Sequence, residues 1–167
     1  LMSLVALSID GILPALAVIG IDLGVTNTKD HQLLITMIFL GIGLGQLLFG
    51  PLSDSFGRKP IVFIGFGVFI IASIICITTK SFELMIFGRI LQGIGLASPR
   101  TLCIAIVRDL YSGDYMAKII SIVVMVFILV PVIAPTLGQF LINYYDWESI
   151  FYVNIIYSTL IMIWFWF

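Results

Sequence analysis

The stretch Gly50-Pro51-Leu52-Ser53-Asp54-Ser55-Phe56-Gly57-Arg58-Lys59-Pro60 decides how this chain is read. Three charges, Asp54, Arg58 and Lys59, stand together between two long apolar runs. Gly57 allows a tight turn between two helices without a Cβ penalty. Pro60 suits the first turn of the helix that follows. Asp54 and Arg58 can pair across that turn, or with charges at neighbouring helix ends. A solvated turn with topology-setting cations explains Arg58 and Lys59 but not the rest of the pattern.

Outward from this turn the chain is apolar almost throughout. Of its 167 residues, 61% are hydrophobic and 10% are Asp, Glu, Lys or Arg. Its mean hydropathy is +1.21. Soluble domains carry about 25% charged residues, so too little polar side chain is present to cover a soluble globule. This excludes a cytosolic enzyme, a disordered chain and a secreted disulfide scaffold, and leaves an integral membrane protein. Eight Lys and Arg against nine Asp and Glu give a net charge of −1, with no basic surface for nucleic acid. Cys76 and Cys103 lie in apolar runs without CxxC spacing and read as buried hydrophobes. The first residue is Leu1 and the chain is apolar from there. The expectation is a fragment whose first helix is no cleaved signal peptide.

Charges and turn residues divide the chain into six segments, at about 2–21, 33–52, 60–79, 83–107, 116–142 and 148–167. Each is near the roughly 20 residues that a spanning helix needs, and none alternates with period two as a barrel strand does. The fold class is therefore an all-α membrane protein of six transmembrane helices. Arg58, Lys59, Arg108 and Lys118 fall in two loops on one side, against Lys29 and Lys80 on the other. That bias places the N-terminus and both basic loops in the cytoplasm. Tyr144, Tyr145 and Trp147 then form an outer interfacial belt, and Trp164 and Trp166 anchor the inner end of the sixth span.

Three ionisable residues fall inside the spans: Asp10, Arg89 and Arg100. Each costs about 2.5–3.5 kcal/mol at a helix centre on insertion scales, and such residues usually mark an ion or substrate path. Arg89 and Arg100, eleven residues apart, share one face of the fourth span, with Asp10 as their only intramembrane countercharge. A structural ion pair, or a snorkelling Arg100, is the plain alternative. Charge on the first and fourth spans suits two three-helix units arranged as inverted repeats. Pro14 lies mid-span after Asp10, Pro99 stands beside Arg100, and Pro131, Pro135 and Gly138 form a run in the fifth span. Prolines of this kind kink a membrane helix. Glycines 41, 43, 45 and 50 let the second span pack closely against a neighbour.

The stretch from Gly50 to Pro60 resembles the signature loop of the major facilitator superfamily, G-x-L-x-D-x-x-G-R-[KR], at Gly50, Asp54, Gly57, Arg58 and Lys59. Arg89-Ile-Leu-Gln92-Gly93 resembles the R-x-x-Q-G motif of its proton-coupled members. Ala134-Pro135-Thr-Leu-Gly138 resembles the fifth-helix antiporter motif G-P-x-x-G, with Ala in place of the first Gly. Ile106-Val-Arg108-Asp109 and Asp146-Trp147-Glu-Ser-Ile-Phe151 also match. Together these resemble drug:proton antiporters of the Bcr/CflA group, over the N-terminal half only. The resemblance implies an N-terminal six-helix half-bundle whose C-terminal six-helix half is missing, and an inner-membrane location. It implies export of small amphipathic drugs or metabolites against protons, with no cofactor. It implies a cytoplasmic charge network of Asp54, Arg58, Arg108 and Asp109. Arg89, within its motif with Gln92 and Gly93, would serve proton coupling. Asp10 would be the titrating carboxylate or the contact for a cationic substrate, sharing a central cavity with Arg89. Pro131, Pro135 and Gly138 would shape the fifth helix and limit leak. Arg100 departs from the pattern, and a second cation on that face would alter substrate charge preference.

Rival readings are an uptake symporter or facilitator of the same fold, and a non-transporting receptor or scaffold. A membrane enzyme has no clustered nucleophile and base, metal ligands, H-E-x-x-H or P-loop to support it. His31 reads as a lone surface histidine.

Overall fold

The computed structural model describes residues 1–25 and 27–166, apart from the side chain of Thr28. Thr26, in the expected first loop, and Phe167, the expected end of the last span, lie outside them. The described residues are helical nearly throughout and contain no strand. Six helices or helix pairs are long and apolar enough to cross a membrane.

The first span is not one helix. It comprises α1 (Met2–Asp10), a single 3-10 turn at Leu13–Ala15, and α2 (Leu16–Asp22). Pro14 has no N–H to give to the α-helical ladder, and the chain tightens there, with the Ala15 amide donating to Ile12 O at 2.9 Å. The second span, α3 (Thr28–Phe56), begins on Asn27, whose side chain accepts from the Lys29 amide at 3.2 Å. It continues past residue 52, with Pro51 inside it. Most of the stretch expected as a loop is therefore helix, and Gly57 alone forms the turn. Its φ of +88° is a conformation that L side chains rarely adopt. The chain reverses at once into α4 (Arg58–Thr78). Then come α5 (Phe82–Leu110), α6 (Gly113–Tyr144) and α7 (Glu148–Trp166). α6 runs unbroken through Pro131 and Pro135.

Helices α3, α4 and α5 form a tight trio with α5 at its centre. A Cβ added to Gly93 would lie 2.9 Å from Gly41 Cα, and one on Gly95 would lie 2.6 Å from the Phe69 amide nitrogen. Backbones this close need small residues at the crossing. Ser98 Oγ adds a bond across the α4–α5 contact, to Ile61 O at 2.9 Å.

The first span, α6 and α7 form a looser trio. α6 buries only Ala134 and Gly138, and Gly138 packs against Gly11 and Pro14. Two apolar cavities of about 210 and 330 Å³ lie between these helices, with Leu7, Ala134, Leu137 and Val153 lining both. Along α6, Met125, Ile128, Leu129 and Val132 face outward, as suits a bilayer rather than water.

Candidate functional site

Three places carry the charge. The first is the Gly57 turn. Arg58 opens α4, and its Nη1 donates to Asp54 Oδ1 and to Ser53 Oγ, both at 2.6 Å. Its Nε donates to Asp109 Oδ2 at 2.9 Å. One guanidinium thus ties the ends of α3 and α5 to the start of α4. All three charges oppose their helix dipoles: a cation at an N-terminus and acids at two C-termini. Helix stability does not explain that placement, whereas mutual pairing does. Arg108 is exposed and makes no bond among the described residues, so it stands outside the expected network. Lys59 turns to α7, donating to Trp166 O at 2.7 Å with the Trp166 ring 5.6 Å away. Nothing lies within 4 Å of a Cβ added to Gly50, so packing inside this chain does not require glycine there.

The second place is the Arg89 pocket, at the opposite half of α5. Arg89 is 1% exposed. Its Nε donates to Leu34 O on α3 at 3.2 Å, and its Nη1 to Gln92 Oε1 at 2.8 Å. Gln92 Nε2 donates to Ser73 Oγ on α4 at 2.7 Å, and Ser73 donates to Phe69 O at 2.8 Å. The guanidinium carbon stands 5.9 Å from the centre of the Phe151 ring on α7. Nη2 is buried and unpartnered among the described residues. A buried cation held by neutral acceptors, with one donor unspent, is costly unless something else completes it. Gly93 serves a different end: it is the close crossing with Gly41.

The third place is the break in the first span. Asp10 closes α1 and is half-buried, and it has no hydrogen-bond or ion-pair partner among the described residues. Asp10 and Arg89 do not pair, so the plain alternative of a structural ion pair between them is not what the described residues form. Arg89 is held among α3, α5 and α7 and is almost fully buried, whereas Asp10 is half-buried at the break. Arg100 is half-buried and makes no hydrogen bond or ion pair among the described residues. Pro131 and Pro135 are half-buried on α6. Ala134 takes the place of the motif's first glycine without strain, since it borders the two cavities.

Sequence reasoning missed three contacts. Trp147 is buried rather than part of an interfacial belt, and its Nε1 donates to Asp22 Oδ2 at 3.0 Å. Tyr144 and Tyr145 are exposed. Trp147 also meets Phe151 edge to face, with ring centres 6.0 Å apart. His31 is 6% exposed, not a surface residue. It donates from Nε2 to Val25 O at 2.8 Å and fills the space that a side chain at Gly20 would need. The Asp146–Phe151 motif was the only signal for the two Trp147 contacts, and it did not name Asp22. Among the described residues, no group of three or more His, Cys, Asp or Glu could hold a metal ion.

Comparison with known proteins places these features in a family. A family profile described as Major Facilitator Superfamily matches residues 1–167. A "Bicyclomycin resistance protein homolog" of Haemophilus influenzae is 36% identical over 145 residues, covering 87% of this chain and 36% of that protein. "Multidrug resistance protein MdtL" of Klebsiella pneumoniae is 33% identical over 144 residues, covering 86% and 36% respectively. The MdtL protein of Salmonella paratyphi C gives the same identity and coverage. The chain spans about a third of the length of these curated relatives. With six membrane-crossing helices, the Gly57 turn and a match over its whole length, this multi-pass membrane protein belongs to the Major Facilitator Superfamily.

Proposed function

We infer that this chain is the N-terminal six-helix part of a proton-coupled secondary transporter. It would export small amphipathic drugs or metabolites by alternating access across the cell's inner membrane, with its N-terminus in the cytoplasm. The two resistance-protein names among its relatives support export of drug-like molecules. The observation that carries proton coupling is Arg89: a fully buried cation at membrane depth with a spare donor and no acid bound to it. Such a group favours the charged form of a carboxylate that approaches it. Asp10, unpartnered at the break in the first span, is the acid within this chain for that role. Protonated, it can be buried where its anion cannot, so proton uptake shifts the balance between inward- and outward-open states. The Asp54–Arg58–Asp109 network holds the cytoplasmic helix ends together in one of those states. Arg100 stands as a second cation on the face of α5 that carries Arg89. A C-terminal half would complete the cavity.

The test uses everted vesicles carrying the transporter under an inside-acid gradient. Lipophilic cations and neutral antibiotics should each release protons, and Asp10→Asn should abolish that release. Release that survives Asp10→Asn would remove Asp10 from coupling. Absence of release from the parent protein would remove antiport itself.

A further inference from the structure

We propose that Asp22, Trp147 and Phe151 form a ladder that positions the free donor of Arg89, with Asp22 and Trp147 acting as positioning residues at a distance from it. This rests on the reading of Arg89 as part of proton coupling.

The ladder is continuous. Asp22 ends α2, the far arm of the broken first span. Its carboxylate accepts from the indole of Trp147 at 3.0 Å. The Trp147 ring stands edge-on to Phe151, interplanar angle 83°. Phe151, fully buried, lies under the Arg89 guanidinium. On its other sides Arg89 is fixed by Leu34 O and Gln92. Phe151 is the residue of the looser trio whose ring the guanidinium faces, and its position bears on where Nη2 points. A cation over a ring face is held by the ring quadrupole, so tilting the ring moves the cation.

The first span supplies the moving part. It is broken at Gly11–Ala15, so α2 can swing relative to α1. Its two arms are held at different points: α1 by Ser8 and Asn154 at 3.3 Å, and the end of α2 by Trp147. A swing of α2 that releases Asp22 from Trp147 would free the Trp147 ring, then Phe151, then Arg89. Motion at the site of Asp10 would thus reach Arg89 without any direct bond between the two, which is the arrangement observed. Coupling through packed side chains needs direct evidence of energetic linkage, and the indole and guanidinium N–H signals provide it.

The experiment records amide and side-chain ¹⁵N spectra of the protein in nanodiscs. Its three tryptophans give three indole signals, and the Arg89 Nε–H gives a fourth reporter. Asp22→Ala should displace both the Trp147 indole and the Arg89 Nε signals while leaving Trp164 and Trp166 in place. Asp22→Asn, which keeps an acceptor oxygen, should restore both. Trp147→Phe, which keeps a ring but no donor, should displace Arg89 as Asp22→Ala does. Displacement of Trp147 alone, or of neither signal, would overturn the ladder. The readout needs no transport, so failure of antiport and failure of the ladder are separable. If both stand, Asp22→Ala should slow substrate-driven proton release roughly three- to thirtyfold, with Asp22→Asn near the parent rate.

Discussion

The two helix trios use the same kinds of residue to opposite ends. In α3, α4 and α5, glycines bring backbones into contact, and the polar side chains Arg89, Gln92, Ser73 and Ser98 bond across the crossings. In the first span, α6 and α7, one glycine crossing joins Gly11 to Gly138. Two apolar cavities and a broken helix surround it. Interiors packed without voids transmit strain and resist motion. The contrast therefore assigns the scaffold to one trio and the motion to the other, with Arg89 at their border.

The largest effect should come from closing the Gly41–Gly93 crossing. Gly93→Ala should destabilise by about 3 kcal/mol, because its Cβ meets backbone on α3 that cannot retreat. Gly138→Ala also meets backbone, at Gly11, but should cost about 1 kcal/mol, since α6 can shift toward the adjoining cavities. Unfolding in mixed micelles measures both, and equal losses would erase the contrast. Next, Gln92→Leu strips the buried Arg89 of one acceptor and Ser73 of its donor, and should cost about 1.5–3 kcal/mol in the same assay.

One substitution made on both sides sharpens the comparison further. Ala97→Leu, in the tight trio, should cost about 1–3 kcal/mol by overpacking. Ala134→Leu, which points new methyls at open volume, should stay within about 0.5 kcal/mol of the parent or gain stability. A small structural effect also belongs to Arg58→Ala. Its pairs are solvent-exposed, so the loss in unfolding free energy should be about 1 kcal/mol or less and should shrink as salt is added. A loss of transport much larger than that loss of stability would mark the network as conformational rather than architectural.

The sequence made the scaffold legible because its signals are local. Apolar run length, the Gly57 turn and the proline in the first span can each be read within a few residues. It misjudged partners, which are set by residues far apart in the chain. Asp10 was the one acid set against Arg89 and Arg100 inside the spans, so charge alone left a structural ion pair open as the plain alternative. In the structure Arg89 takes the carbonyl of Leu34 and the amide of Gln92, which no charge count can reveal. His31 read as a surface residue because the gap that receives it is made by Gly20, eleven residues earlier on another helix. Trp147 read as an interfacial anchor because its partner Asp22 is 125 residues away. The family resemblance grouped Arg108 with Asp109, yet one step along a helix turns a side chain away by about 100°.

The central claim is that the first span moves against a rigid α3–α4–α5 trio, and amide hydrogen exchange tests it most directly. In the reconstituted protein, amides at residues 9–16 should exchange at least tenfold faster than those flanking the Gly41–Gly93 crossing. Lowering the pH or adding a transported compound should change protection in the first span and at 147–151 while leaving the crossing unchanged. Uniform protection across both trios, or a response centred on the Gly41–Gly93 crossing, would contradict the account.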